Sequence, residues 1–164
     1  MDASAIYERL RAHFAERVVS LELAAKDPWV LVAPEAIAEV AAYCRSDDGL
    51  RCDALSNLSG VDYKTEGYIE LVYHLYSYPH RHYVILKART PRDAAVVPTV
   101  EGVWKAANWL EREIFDLLGV DFTGHSDLRR LLMPEDWVGF PLRKDFVEPD
   151  QYHGISTRRE SLLR

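Results

Sequence analysis

His80 and His82 stand two residues apart, a spacing that on a β-strand turns both imidazoles to one face and could supply two ligands of a transition-metal site. A stable site needs further ligands. In the hairpin register derived below His74 falls on the opposite face, and no Cys, Asp or Glu of that register completes the set. Cys44 and Cys52 are the only cysteines and form no C-x-x-C pair, so the chain offers neither the thiolates of an iron–sulfur cluster nor the spacing of a structural zinc site. Two buried, reduced thiols are expected. There is no G-x-S-x-G elbow and no Gly-rich phosphate loop, the usual local signatures of an activated serine or a nucleotide cradle.

The densest polar pattern is Glu111-Arg112-Glu113 with Asp116, followed by Arg129-Arg130 and Arg143-Lys144-Asp145. Arg suits bidentate pairing with carboxylates in partly buried places. These cations are therefore expected to meet Glu111, Glu113 or the carboxylates of a partner; a solvated basic surface is the simpler alternative.

A long helix must carry the first of these groups. Val103, Ala106, Leu110, Ile114 and Leu117 recur at helical spacing over 103–118, and Gly119 is a natural stop. At about 100° per residue, Arg112 and Asp116 project away from that stripe as an i,i+4 pair, while Glu113 stands at its edge, partly buried and in need of a cation. Trp104 and Phe115, with Asn108 between them, map to the opposite flank. The helix thus has two apolar sides, and its second cover is either the chain's own tail or another subunit; aromatics beside Arg and Asn suit an interface core.

Upstream, Ile6, Leu10, Phe14 and Val18 behind Ser4 predict an amphipathic helix capped by that serine, and Trp29 to Val32 a short strand. Pro34 opens a second helix with the stripe Ile37, Val40, Ala41 and Cys44, ending at Asp47-Asp48-Gly49. From Leu50 to Thr90 the period shifts towards two, with interruptions at Ser59-Gly60 and Thr65-Glu66-Gly67 between three strands. A turn centred on Pro79-His80 sets Leu75 opposite Val84, Tyr73 opposite Leu86, Leu71 opposite Ala88 and Glu70 opposite Arg89. Pro91 and Pro98 bracket a loop. After residue 123 closely spaced Gly and Pro leave no room for a long element, yet Leu131, Leu132, Trp137, Phe140, Phe146 and Tyr152 make the segment too apolar for a solvated one. It reads as an extended tail, docked either on a partner or on its own domain. The fold class is α+β: N-terminal helices, a small mostly antiparallel sheet, one long helix and an irregular tail, divided as 1–123 and 124–164.

Composition sets the outer limits. With 48% hydrophobic and 28% charged residues the chain is an ordinary soluble domain with one core. Its longest run free of Asp, Glu, Lys and Arg, Leu71 to His80, is far short of the roughly 20 apolar residues of a membrane span. The N-terminus lacks the basic and apolar regions of a secretory signal, so a cytoplasmic chain is expected. A net charge of −6 with scattered basic residues argues against nucleic acid.

The strings Asn108-Trp109-Leu110-Glu111-Arg112-Glu113, Asp116-Leu117-Leu118-Gly119, Gly124-His125, Asp127-Leu128-Arg129-Arg130-Leu131-Leu132 and Pro141-Leu142-Arg143-Lys144-Asp145 together resemble the C-type, thirty-kilodalton subunit family of respiratory complex I, NADH:quinone oxidoreductase. Tyr152-His153-Gly154-Ile155 also fits that family. The sequence departs from it at Ser126, where Pro is common, and at Phe140, where His is common. The resemblance implies a subunit with no cofactor of its own, with FMN and iron–sulfur clusters in partner subunits and NADH and quinone bound by the complex. It implies a place on the cytoplasmic side of the inner membrane, held through the complex, beside the D-type, quinone-site subunit and other cluster-bearing subunits. The chain stops at Arg164, and a C-type subunit not fused to the D-type one is expected. Partner-facing residues would be Trp104, Glu111, Arg112, Glu113, Phe115, Asp116, His125, Arg129, Arg130, Arg143, Lys144, Tyr152 and His153. Two rivals remain: the equivalent subunit of a membrane-bound hydrogenase-type complex, and a free-standing enzyme with a metal at His80 and His82.

Overall fold

The computed structural model describes residues 1–158; the end of the expected tail, 159–164, lies outside the described residues. Helix α1 spans Ala3–Phe14, with Ile6, Tyr7 and Leu10 buried. Its cap is Asp2, whose Oδ1 accepts the Ala5 N–H at 2.8 Å, so the expected Ser4 cap lies inside the helix. Val18 is not its last turn. Ala15 turns the chain with φ 50°, and Val18 opens β1 (Val18–Glu22), a strand that helical periodicity had hidden.

β1 runs antiparallel to β2 (Trp29–Val32). The turn at Pro34–Ala36 leads into α2 (Ile37–Ser46), which buries Ile37, Val40, Ala41 and Cys44 as the spacing requires. β3 (Ala54–Tyr63), β4 (Tyr68–Ser77) and β5 (His82–Pro91) form an antiparallel meander, and β5 pairs in parallel with β2, giving the order β1-β2-β5-β4-β3. The β4–β5 register is the one read from the sequence, Leu75 opposite Val84 through Glu70 opposite Arg89. Lys87 Nζ and Arg89 Nε hold the two Glu70 oxygens at 2.7 and 2.8 Å.

Ser59-Gly60 does not interrupt the sheet: β3 passes through it. Gly60 is required for another reason, since a Cβ there would stand 2.4 Å from Leu118 Cδ1. The three helices share one core on the inner face, around Leu71, Tyr73, Leu75, Leu86 and Ala88.

The expected loop between Pro91 and Pro98 contains β6 (Val96–Pro98), parallel to β7 (Asp121–Thr123). These strands bracket α3, which spans Ala107–Leu118 rather than 103–118. Residues 103–106 are turns, with Val103 and Trp104 both donating to the Val100 carbonyl. Gly119 ends the helix as expected, at φ 73° with its N–H on Phe115 O. The tail ends in a short hairpin, β8 (Gln151–Tyr152) and β9 (Ile155–Ser156), closed by His153 and Gly154 at φ 49° and 76°, the two left-handed residues that a tight hairpin turn demands.

Candidate interface: the α3 flank and the C-terminal tail

The buried line of α3 is Ala107, Glu111, Ile114 and Leu118, with Arg112 and Asp116 buried beside it. Leu110 and Leu117 are only half-buried. The helix is therefore rotated by about one residue from the stripe read in the sequence, because an apolar count cannot foresee buried charges that find partners elsewhere in the chain.

Asp116 has the most complete partner set. Its side chain is fully buried; Oδ2 accepts the N–H groups of Leu131, Leu132 and Met133 at 3.0, 2.7 and 2.8 Å, and Oδ1 accepts Arg130 Nη1 at 2.8 Å. Burial alone would raise its pKa, but these donors outweigh it and hold the carboxyl below its ordinary value. The expected Arg112–Asp116 pair does not form. Arg112 lies 5.1 Å from the Trp109 ring and donates to the carbonyls of Arg129 and Arg130. Arg130 also donates to Trp137 O and Gly139 O.

A second anchor is Asp62 on β3, fully buried. It accepts Arg92 Nε at 2.7 Å and the Lys144 N–H at 2.8 Å, and Arg92 also pairs with Asp145. A third closes the helix: Arg143 Nε donates to Leu118 O at 2.7 Å and the Leu142 N–H to Leu117 O at 3.0 Å, satisfying carbonyls that a helix C-terminus leaves open and placing a cation at its negative end. The Phe140 ring lies 4.9 Å from Arg143 and 5.8 Å from Arg130, directly over Gly119.

The N-terminal end of α3 carries another polar network. Glu111 is fully buried and accepts Thr99 Oγ1 at 2.5 Å and the Val100 N–H at 2.7 Å; burial raises its pKa and these donors offset that only in part. The His125 ring is enclosed. Its Nδ1 accepts the Asp127 N–H, so its proton sits on Nε2 and is donated to Asn108 O at 3.1 Å. Glu101 accepts from Asn108 and from both the N–H and Oγ of Ser126. A proline at 126 could supply neither donor.

The expected partner-facing residues thus divide. Trp104 is buried, its Nε1 donating to Cys52 O at 3.0 Å; Trp104 and Glu111 face their own domain and Asp116 the chain's own tail, and Arg112 is also buried. Glu113, expected to be partly buried and paired, is exposed and has no ion-pair partner among the described residues. Phe115 is half-buried against the core. Arg129 is exposed and pairs with Asp127, and Lys144 is exposed. Tyr152 and His153 both bind Asp136, at 2.7 Å each, and Tyr152 packs on Trp137.

Sequence reasoning passed over Trp109, which is 60% exposed; it lies about 160° around the helix from Glu111, and that offset could have revealed it. It also passed over Asp62 and Arg92, whose tail partners are remote in sequence.

At the other end of the sheet, His80 and His82 stack parallel at 5.8 Å. His80 Nε2 donates to Asp48 O at 2.7 Å, whereas both His82 nitrogens are buried without a hydrogen-bond partner among the described residues. Among the described residues no group of three His, Cys, Asp or Glu is arranged to hold a metal. Cys44 and Cys52 are buried free thiols; burial pushes the Cys52 pKa up to about 12.

A domain that uses its buried charges to fix a tail, and leaves apolar side chains of that tail outward, presents a surface suited to assembly with other proteins. The comparisons place it within that class. Residues 30–152 match the family described as respiratory-chain NADH dehydrogenase, 30 Kd subunit, and the chain belongs to that family. It is 44% identical over 146 residues to the C-type subunit of NADH-quinone oxidoreductase from Roseiflexus sp. (strain RS-1), covering 88% of this chain and 84% of that one. To the corresponding subunit from Chlorobium phaeobacteroides it is 40% identical, over 93% of each. Among solved structures it resembles the trypsin-resistant fragment of Nqo5 (TM-score 0.64, 28% identity, 78% of this chain and all of that one). It also resembles a chain of the membrane-bound sulfane sulfur reductase, an archaeal respiratory membrane complex (TM-score 0.73, 26% identity, 88% and 85%). No helix among the described residues is long and apolar enough to cross a membrane.

Proposed function

We propose that this chain is a non-catalytic structural subunit of an ion-translocating NADH:quinone oxidoreductase. It joins the hydrophilic arm and supports electron transfer that runs through FMN and iron–sulfur clusters held by partner subunits. Its nearest neighbour is the D-type subunit of the quinone site, and NADH and quinone bind the complex rather than this chain. It sits on the cytoplasmic side of the inner membrane and is held there through the complex. The observation that carries this reading is the match to C-type relatives over nearly the whole chain; the tail fixed to α3 with apolar side chains outward supports it. Deleting the gene should abolish NADH:quinone reduction by membranes, and the wild-type chain should restore it. Retained NADH:quinone activity in the deletion strain, with no second copy of the gene, would refute the reading.

A second reading places the chain in a related respiratory complex with another electron donor or acceptor, favoured by its likeness to the sulfane sulfur reductase chain. Membranes of the deletion strain would then keep NADH:quinone activity and lose the other one.

A further inference from the structure

The helices and the tail lie on one face of the five-stranded sheet, where Leu118 packs on Gly60 and the Lys144 N–H reaches Asp62. The opposite face keeps Trp29, Leu31, Tyr68, Val72 and Ile85 half-exposed and Val61 exposed. A sheet face left to water is ordinarily polar. By the strand register these six residues surround a charged centre: Leu31 and Val72 flank Lys87, and Val61 stands opposite Glu70, with Tyr68, Trp29 and Ile85 completing the ring. The Glu70 side chain is 2% exposed beneath Lys87 and Arg89, which are 19 and 38% exposed. The Arg89 guanidinium lies 4.9 Å from the Tyr68 ring and 5.9 Å from the Trp29 ring. Only its Nε reaches Glu70; its two Nη groups meet no acceptor among the described residues. Two cations over one carboxylate leave the centre with one positive charge in excess, in a chain of net charge −6. The other charges lie at the rim: Glu22 opposite Trp29, Asp27 in the β1–β2 loop, and Lys64 with Glu66 in the β3–β4 turn.

We infer that this outer face, centred on Arg89, docks a segment of another subunit that brings a carboxylate set among aliphatic side chains. The inference rests on the functional reading above and concerns the side of the domain opposite the tail. A carboxylate would meet the two free Nη groups in the paired geometry that a guanidinium offers. A purely aliphatic cover would strip those N–H groups of water and return no acceptor, and a basic segment would meet two like charges. The apolar ring would exclude water from the pair once it has formed. Glu70 fixes Nε and the Tyr68 and Trp29 rings flank the guanidinium, so its orientation is set before docking and little ordering remains to be done.

The test uses the full-length, tagged chain in its host in place of the native copy, with co-purifying subunits quantified by mass spectrometry. Val61 and Tyr83 lie on this face and are 39 and 67% exposed, so charge can be placed there without opening the core. Val61→Glu/Tyr83→Glu should lower recovery of the other subunits by about tenfold, because it sets carboxylates against the partner's own. Val61→Lys/Tyr83→Lys removes the same two side chains and should recover about fivefold more than the glutamate pair. Should either variant melt below the wild type, a photo-cross-linking residue, p-benzoylphenylalanine, in place of Tyr83 alone reads the same surface in the assembled complex. It should cross-link to another subunit, in a peptide that contains Asp or Glu.

Equal recovery with the glutamate and lysine pairs, both folded, overturns the acidic occupant and leaves the functional reading intact. So does an assembled complex in which position 83 cross-links to no other subunit. A wild-type chain that recovers no other subunit removes the functional reading and this inference with it. Cross-linking at position 83 to a second copy of the chain, or to phospholipid, would reassign the face and overturn the proposal.

Discussion

Asp116→Asn keeps the size of the side chain and one acceptor oxygen, and removes the charge on which the tail's first anchor depends. The carboxylate is fully buried and its Arg130 partner is 17% exposed. It accepts three amide N–H groups on Oδ2 and a guanidinium on Oδ1. Whichever way the new amide turns, its NH2 faces donors. Breaking one side of a buried pair costs about 3–5 kcal/mol. Arg130 retains Trp137 O and Gly139 O, so the lower end, about 3 kcal/mol, applies.

For a chain of this size each kcal/mol moves the melting midpoint by about 2–4 °C, so the variant should melt about 6–12 °C lower. Circular-dichroism melts give that value, and hydrogen exchange with mass spectrometry should show lost protection confined first to Leu131–Met133. Because the folded pKa of Asp116 is lowered from 3.8, its stabilisation is complete above that value and is lost as pH falls through the folded pKa. The gap between wild type and variant should therefore narrow below about pH 4. A midpoint within about 2 °C of wild type at pH 7, with slow exchange retained at those amides, would refute the role given to Asp116.

Glu111 has the opposite sign. Its folded pKa is raised from 4.5, so the folded chain binds its proton more tightly, and stability falls as pH rises through that pKa; Glu111→Gln should flatten this slope and melt higher relative to wild type at pH 8 than at pH 4. His82→Phe removes two buried nitrogens that meet no hydrogen-bond partner of good geometry among the described residues and should raise stability by about 1 kcal/mol, the low end for an unsatisfied group because the Leu50 backbone lies close enough to interact with the ring. His82 has a folded pKa lowered from 6.5, chiefly by burial, so the wild type loses stability as pH falls below that value, and melts at pH 7.5 and 5.5 should show the variant free of that loss. Gly119→Ala would put a Cβ 2.5–2.8 Å from the Phe140 ring at φ 73° and should cost about 2–3 kcal/mol in denaturant titrations, with partial recovery on adding Phe140→Leu.

The β4–β5 pairing and the second helix were legible because their signals are local. Period two fixes which faces of β4 and β5 meet, and Glu70 opposite Arg89 follows from the same register; the stripe of α2 contains only apolar residues. The candidate interface was legible as a set of strings and not as a geometry. Glu111, Arg112 and Asp116 look like a solvated face by periodicity, and become buried only because Val100, Thr99 and residues 129–133 bring donors and acceptors to them. Trp104 lies in a turn before α3, where helical angles do not apply. Asp62 and Lys144 are 82 residues apart in sequence, beyond the reach of any spacing rule. Val18 fitted the α1 stripe, but φ 50° at Ala15 redirects it into β1.

The central claim, that this chain is a subunit of an NADH:quinone oxidoreductase, is tested most directly by affinity-tagging it in its host, solubilising membranes in mild detergent and identifying what co-purifies. The expected result is stoichiometric recovery of the D-type and cluster-bearing subunits in a fraction that reduces quinone with NADH. Recovery of the chain alone, or with subunits of a complex inactive with NADH, would contradict it.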